Sequence, residues 1–219
     1  MQINRVILQT SMLKELIAFY STEMELPVDT TNENETIIKI GRTELVFKQA
    51  STADPFYHLA INIPANKIEE AKAWLSGRAE LMWMDEYKSD IADFASWHAK
   101  SVYFFDPAGN IMELIARFDL GNKTDEPFSS DQFLSVSEVG LVLEKDEFDT
   151  AVSNLMKGYR LSYFDKQPPF HHFRAVGDDE GLFIVVPENR NWFPTAIPSG
   201  IFPIEVQFDN NGKEYVLNL

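Results

Sequence analysis

One carboxylate, Glu113, lies inside an otherwise apolar run near the middle of the chain, in the segment SVYFFDPAGNIMELIAR at residues 101–117. The segment is typical of a β-hairpin: residues 102–105 form one strand, Asp-Pro-Ala-Gly-Asn forms a turn at 106–110, and residues 111–117 form the second strand. Side chains alternate between the two faces of a strand, so Glu113, Ile115 and Arg117 share one face. Glu113 is therefore a candidate functional residue, because carboxylates bind metals and accept protons.

The segment that leads into this hairpin offers two more candidates, His98 and Trp97. His98 could reach a site beside Glu113 as a proton shuttle or a metal ligand, although histidines at strand edges more often have a structural role. Residues 85–99 (DEYKSDIADFASWHA) mix aromatic and acidic side chains. They form either a lid over a site or a solvated connection whose aromatics anchor it to the core. We take His98 and Trp97 as candidate substrate-binding residues.

A β-α-β-β-β order recurs along the chain. In the first copy, residues 4–9 form a strand, residues 12–24 carry apolar residues at helical spacing, and strands follow at 26–30, 36–40 and 43–48. The second copy begins with a strand at 57–63 and continues with a helix capped by Asn66, a strand at 81–84 and the hairpin. A helix from the cap residue Asp146 to Gly158, with strands at 136–143, 159–164, 173–176 and 182–186, forms a third, less regular copy. The segments FPIEVQF and KEYVLNL predict two further strands.

These repeats predict the architecture. We expect an α+β fold in which βαβββ modules pair into a curved mixed-sheet cup with helices on the outside, because one module leaves a sheet edge and a concave face uncovered. The predicted pair comprises residues 1–52 and 53–118. Residues 119–132 are polar and predict a linker, and residues 133–219 hold the third module with the extra C-terminal strands. The cup between paired modules is the expected binding site.

Composition excludes several classes of partner. The 219 residues carry a formal net charge of −15, which disfavours nucleic acid and anionic membranes. The chain has no cysteine, and its beginning does not resemble a secretory signal, so we expect a cytoplasmic protein. No G-x-G-x-x-G or P-loop pattern occurs, which argues against a nucleotide cofactor. The expected partner is a small molecule, and a homodimer is compatible with the sequence.

The sequence resembles the vicinal oxygen chelate superfamily, which includes glyoxalases, bleomycin-resistance proteins, fosfomycin-resistance enzymes and extradiol ring-cleaving dioxygenases. The resemblance rests on FFDPAGNIMEL at 104–114, on YHLAI at 57–61 and on the repeated β-α-β-β-β order. It covers residues 1–118 well and 136–186 more loosely. It implies a divalent metal in the cup, bound by residues from the first and last strands of the paired modules.

Transferred to this chain, the resemblance implies that His58, Glu44 and Glu113 bind the metal. The fourth ligand position falls on Arg5, whose guanidinium cannot bind a metal. Strand alternation independently predicts one shared inward face for Arg5, Gln9, Glu44, His58, Asn62 and Glu113, so that two carboxylates, an imidazole and a guanidinium would converge there. The expected catalytic residues are Glu113, Glu44 and Arg5, with Gln9 and Asn62 as further substrate-binding residues.

The third module does not contain the residues for a second complete metal site. Glu138 occupies the first-strand position there, but the last strand, GLFIVV, has no carboxylate in register. We therefore expect this module to pack against the first pair or to mediate dimerisation.

Two small-molecule functions remain open at this stage, beside a third in which the protein is an interaction scaffold whose cup is filled by its own side chains. One is a metal-dependent lyase or dioxygenase of the glyoxalase superfamily that uses Mn²⁺, Fe²⁺, Ni²⁺ or Zn²⁺ on a small molecule. The other is a metal-free binding protein, similar to bleomycin-resistance proteins, in which Arg5 supplies the positive charge instead of a metal. An acidic cup of this kind would favour cationic ligands.

Overall fold

The computed structural model describes residues 1–50 and 54–219, with residue 31 described by its backbone alone. The strands are β1 (Gln2–Thr10), β2 (Val28–Asn32), β3 (Glu35–Ile40), β4 (Thr43–Gln49), β5 (His58–Ile63), β6 (Ala92–Phe94), β7 (Ala99–Phe105), β8 (Ile111–Arg117), β9 (Ser135–Leu143), β10 (Arg174–Asp178), β11 (Gly181–Pro187), β12 (Glu205–Asn210) and β13 (Lys213–Asn218). The helices are α1 (Leu13–Ala18), which continues as a π-helical turn (Phe19–Glu23), α2 (Ile68–Leu75) and α3 (Phe148–Tyr159). Short 3₁₀ turns occupy Ala95–Trp97, Phe118–Leu120 and Ser130–Gln132.

The strands of the described residues form two mixed sheets. The six-stranded sheet has the order β13-β12-β1-β4-β3-β2, and the seven-stranded sheet has the order β10-β11-β9-β5-β8-β7-β6. The predicted α+β class with repeated βαβββ modules is confirmed. Both predicted C-terminal strands form, as β12 and β13.

The partners of the modules differ from the expected pair. Strand β5 of the second module runs antiparallel to β9 of the third module, with Leu59 opposite Val139. Strand β1 of the first module instead pairs with β12, with Val6 opposite Val206. The first strand of every module has a free edge with the same backbone donors and acceptors, so local sequence does not determine which edges meet. The predicted boundaries of the 119–132 linker and the flanking domains stay predictions.

Some local predictions also need correction. The segment 81–84 contributes only isolated bridges, from Leu81 to Phe104 and from Met84 to Ser89, and the strand at this edge is β6, later in the chain. The segment 159–164 likewise contributes only a bridge at Tyr163. Neither predicted cap residue occupies the cap position: α2 begins after Lys67 instead of Asn66, and α3 begins after Glu147 instead of Asp146. The Asn66 side chain bonds instead to the backbone of Thr124.

Each sheet has one face in a shared core. Leu59 and Leu114 of the seven-stranded sheet lie in the same hydrophobic cluster as Val6 and Leu45 of the six-stranded sheet, together with the buried residues of the helices. The opposite face of the seven-stranded sheet holds a second cluster, which includes Ala60, Ile115 and Trp192. None of the helices in the described residues is long and apolar enough to cross a membrane.

The Asp-Pro-Ala-Gly-Asn turn fastens the first module to the second. Buried Asp106 accepts hydrogen bonds from the backbone N–H groups of Ala108 and Asn110, from the Asn110 side chain, and from the Tyr20 hydroxyl at 2.9 Å. Burial raises the pKa of Asp106 to about 6, although these donors oppose the shift. The turn that identified the hairpin in the sequence therefore also positions β8 against the first module.

Candidate metal centre

Three buried side chains converge on the second-cluster face of the seven-stranded sheet: His58 of β5, Glu113 of β8 and Glu138 of β9. Each offers a ligand atom, and these atoms all lie within 4.8 Å of one another. Strand β5 lies between β8 and β9, so the centre spans the junction of the second and third modules. We call the cavity above this face the cup.

His58 is oriented by the backbone. Its Nδ1 lies 3.2 Å from the carbonyl oxygen of Ile111, and its Nε2 lies 3.7 Å from Glu113 Oε2. The carbonyl places the ring proton on Nδ1, which leaves the Nε2 lone pair directed at the centre. Burial lowers the pKa of His58 to about 4, helped by the charge of Arg190 and opposed by the Ile111 contact, so the imidazole is neutral at physiological pH.

Glu113 is enclosed by polar neighbours on the strand beside it. Ser101 of β7 donates a short hydrogen bond to Glu113 Oε1, and Tyr103 lies directly opposite Glu113 in the ladder. Burial and the nearby charge of Glu138 raise the pKa of Glu113 to about 8, while hydrogen bonds from Ser101 and Tyr103 oppose that shift. Without a cation, Glu113 is therefore largely protonated at neutral pH.

Glu138 is held by a buried guanidinium. Arg117, which has no solvent exposure, donates to Glu138 Oε1 and lies 3.3 Å from an oxygen of Asp179. Lys166 also binds Asp179, at 2.6 Å, and connects this group to the surface. Burial raises the pKa of Glu138, and Arg117 opposes the rise. The pair with Arg117 fixes one carboxylate oxygen and leaves the other for the centre.

The cup has a volume of about 290 Å³ and is mainly aromatic. A cavity of this size admits a small molecule rather than a polymer. Three polar side chains join the aromatic walls: Ser96, Gln167 and Arg190. The remaining lining residues are Phe94, Trp97, Tyr103, Phe170, Phe173, Ile184, Trp192 and Phe193, together with the three converging side chains.

Trp192 closes the cup next to His58. The two ring centroids are 5.3 Å apart, and the indole is buried. Gly140 of β9 makes room for it: a Cβ at this position would lie 2.6 Å from the Trp192 ring and 3.2 Å from the His58 Cβ. A glycine on this strand is thus required by close packing.

These residues fit a divalent metal ion. Two ligands that are each about 2.1 Å from an ion lie about 3.0–4.2 Å apart, depending on the angle between them. The 3.7 Å separation of His58 Nε2 and Glu113 Oε2 falls in that range. One neutral imidazole and two carboxylates form a donor set that suits Mn²⁺, Fe²⁺, Ni²⁺ or Zn²⁺ and leaves coordination positions open.

Comparison with solved structures identifies the fold. A proposed dioxygenase from Bacillus subtilis subsp. subtilis str. 168 matches 91% of this chain with a TM-score of 0.58 at 14% identity, and the chain spans 65% of that protein. Glyoxalase I from Zea mays, in a V278E mutant form, matches 90% of this chain with a TM-score of 0.55 at 14% identity, over 70% of its own length. The chain has the vicinal oxygen chelate fold. The sequence matches no protein-family model and no curated protein.

Arg5 and Glu44 lie away from the centre, on the other sheet. They lie in register on β1 and β4 of the six-stranded sheet, 2.8 Å apart, and Lys39 binds the other oxygen of Glu44. Their neighbours Val6 and Leu45 point into the shared core, so Arg5 and Glu44 face away from the cup. The structure therefore does not bring Glu44 or Arg5 to His58 and Glu113.

The predicted substrate-binding residues divide in the same way. Trp97 lines the cup and donates its indole N–H to Gln167 at 2.8 Å. His98 is exposed and pairs with Asp119, and Gln9 lies on the six-stranded sheet. Asn62 is buried on β5 and bonds to the backbone of Asp179, but it does not line the cup.

Sequence reasoning missed three important residues. Glu138 was placed at a first-strand position but was assigned no role, because its module was not expected beside His58. Arg117 carries a signal in the alternation of β8, since it shares the Glu113 face. Arg190 follows β11 in a loop, where alternation makes no prediction. Only Arg117 could have been found from strand pattern alone.

Proposed function

We propose that this protein binds one divalent metal ion through His58, Glu113 and Glu138 and acts as an enzyme on a small molecule held in the cup. The observation that supports this proposal is the convergence of three buried ligand side chains at one wall of an aromatic cavity. The Bacillus and Zea mays structures, described as a proposed dioxygenase and a glyoxalase, support the enzyme class by analogy of fold.

The donor set favours proton transfer, as in a lyase or isomerase, over ring cleavage. Iron dioxygenases use two histidines and one carboxylate, whereas this centre has one histidine and two carboxylates. A divalent ion would polarise oxygen atoms of a bound substrate. The Glu113 carboxylate, held by Ser101 beside the open cup, is positioned to accept the proton, and Arg117 keeps Glu138 in place.

Water exclusion follows from the packing around the centre. Two aromatic rings pack near the imidazole of His58: the Trp192 centroid lies 5.3 Å and the Tyr103 centroid 6.4 Å from its own. Such enclosure strengthens electrostatic interactions with a substrate, because few water molecules screen them.

The test is metal content and activity measured together. Untagged protein is stripped with a chelator, incubated with Mn²⁺, Fe²⁺, Ni²⁺ or Zn²⁺ separately, dialysed and analysed for bound metal. We expect close to one ion per chain for at least one of these metals, and loss of binding in His58→Ala. The loaded protein is then tested with 2-oxoaldehyde–thiol adducts and with catechols. The absence of stoichiometric metal under every condition would refute the proposal.

A metal-free binding protein is the second candidate, and one contact favours it. Arg117 already neutralises Glu138, so the buried pair needs no ion to be stable. In that case the protonated form of Glu113 completes a neutral site and the cup only sequesters a ligand. Ligand binding that is equally tight with and without metal, together with no turnover, would support this function.

We also propose a cytoplasmic location and a small-molecule partner, with a homodimer as the expected assembly. The acidic surface, with a formal net charge of −15, supports the absence of nucleic-acid partners. Light scattering on the purified protein checks the oligomeric state directly.

A further inference from the structure

Arg190 is unusual among the arginines of this acidic chain. It is half-buried in the cup wall, and its Nη1 donates only to the backbone oxygen of Asn191, at 3.2 Å. Within residues 1–50 and 54–219, no carboxylate lies within 4.0 Å of its guanidinium. Most other arginines bind a carboxylate, namely Arg5, Arg42, Arg78, Arg117 and Arg174. Arg190 thus keeps most of its five N–H donors for another partner.

The charges that face the cup do not supply that partner. Glu138 is matched by Arg117 on the inner side of the cup, and Glu113 is bonded to Ser101 beside His58. The guanidinium of Arg190 therefore lies in the cup as an unmatched positive charge, although the chain as a whole is strongly acidic. The expectation that an acidic cup would favour cationic ligands does not hold for this arrangement.

The walls around Arg190 are mainly aromatic. Its guanidinium lies 5.2 Å from the centroid of the Phe173 ring, which fixes one wall. Two other rings of the lining, Tyr103 and Phe193, meet edge to face with centroids 5.5 Å apart. Aromatic rings prefer such stacked and edge-to-face surroundings, and a volume of about 290 Å³ admits one or two fused rings.

We propose that the cup binds a small aromatic carboxylate, with its ring between the aromatic walls and its carboxylate on Arg190. A planar guanidinium binds a carboxylate through two parallel hydrogen bonds, and this geometry is stronger and more directional than a contact with an amide. Arg190 and His58 line the same cup, so an oxygen substituent of the bound molecule can face the metal centre. This inference rests on the proposed small-molecule site, but it does not depend on a bound metal.

The experiment measures binding to metal-free, full-length protein by calorimetry. The probes are benzoate and 2-naphthoate, their neutral isosteres benzamide and 2-naphthamide, and cyclohexanecarboxylate, which keeps the charge without the aromatic ring. The variants are Arg190→Met, Arg190→Lys and, as a control with the same change of charge at an exposed arginine, Arg160→Met. Thermal melting confirms that each variant is folded.

We expect an aromatic carboxylate to bind wild type at least about tenfold more tightly than its amide. Arg190→Met should abolish this preference, Arg190→Lys should retain part of it, and Arg160→Met should leave it unchanged. Equal binding of carboxylate and amide would overturn the proposal, as would an unchanged preference in Arg190→Met. So would failure of both aromatic carboxylates to bind at about 10 mM, or cyclohexanecarboxylate binding as tightly as benzoate.

Metal content of the same preparations separates this result from the proposed enzyme. A protein that binds metal but shows no preference for carboxylates refutes only the ligand class. A protein that prefers aromatic carboxylates but never binds metal refutes only the metal-dependent enzyme and leaves the role of Arg190 intact.

Discussion

Glu113 and Glu138 lie on either side of Ala60, each directly opposite it on a different neighbouring strand. Ala60 pairs with Glu113 in the parallel ladder of β5 and β8, and with Glu138 in the antiparallel ladder of β5 and β9. The two glutamates are therefore two strand spacings apart, about 10 Å at the backbone, and can meet only by leaning over the residue between them. The methyl group of Ala60 is small enough to permit this, so one short side chain makes the centre geometrically feasible.

The first prediction concerns the identity of the second carboxylate ligand. Glu138→Gln should weaken metal binding by more than about tenfold, because it removes an anionic ligand while keeping the side-chain shape. Glu44→Gln is the matched control and should bind metal as wild type does, since Glu44 pairs with Arg5 and Lys39 on the other sheet. Titration calorimetry with Zn²⁺ or Mn²⁺ measures both. Loss of metal binding in Glu44→Gln alone would instead support the ligand set that the family resemblance implied, namely His58, Glu44 and Glu113.

The second prediction is a fall in the stability of the metal-free protein as pH rises from about 7 to 9. Burial raises the pKa of Glu113 to about 8, so the folded state keeps a proton that the unfolded state has already lost. Raising the pH therefore favours unfolding, by about 1 kcal/mol over this window. His58, whose pKa is lowered to about 4, is neutral in the folded state throughout the window and remains so as pH rises.

Urea denaturation at several pH values checks this slope, with Glu113→Gln as the control. The variant lacks the titrating carboxyl and should lose less stability than wild type across the same window. Saturating metal should also flatten the wild-type slope, because a bound cation keeps Glu113 ionised at both ends. Parallel curves for wild type and Glu113→Gln would contradict the raised pKa.

The third prediction compares two ion-paired arginines. Arg117→Met should destabilise the protein by about 3–5 kcal/mol, because it leaves the buried carboxylate of Glu138 without its cation, whereas Asp179 keeps Lys166. The side chain of Arg5 is 30% exposed, and its pair with Glu44 is therefore screened by water. Arg5→Met should lower the free energy of unfolding by about 1 kcal/mol or less. The free energy of unfolding in urea measures both. Similar losses in the two variants would show that Glu138 does not need Arg117.

The fourth prediction concerns the glycine beneath Trp192. Gly140→Ala should destabilise the protein by about 1–3 kcal/mol and weaken metal binding, because the new methyl group displaces Trp192 and crowds His58. Gly158→Ala in α3 is the control, since a Cβ there meets nothing within 4 Å and alanine is the better helix former. It should stabilise the protein by about 0.5–1 kcal/mol. An unchanged indole fluorescence and metal affinity in Gly140→Ala would argue against this packing role.

Much of the centre was predictable because the information is local. Strand alternation places Glu113 and Arg117 on one face of β8, and the Asp-Pro-Ala-Gly-Asn turn predicts where that strand begins. The repeated β-α-β-β-β order predicts the number and type of modules, since each helix and strand follows from its own apolar spacing. His58 and Glu113 were thus recognisable as one face of one module before any fold was known.

Only the tertiary structure decided which module completes the site. Each first strand offers an equivalent backbone edge, so β5 could pair with β1 or with β9 by any local criterion. The choice of β9 brings Glu138 to His58 and sends Arg5 and Glu44 to another sheet, where they pair with each other. The sequence by itself determined what each strand presents on its two faces. The long-range packing of the modules determined which of those faces meet, because that choice depends on contacts between residues far apart in the chain.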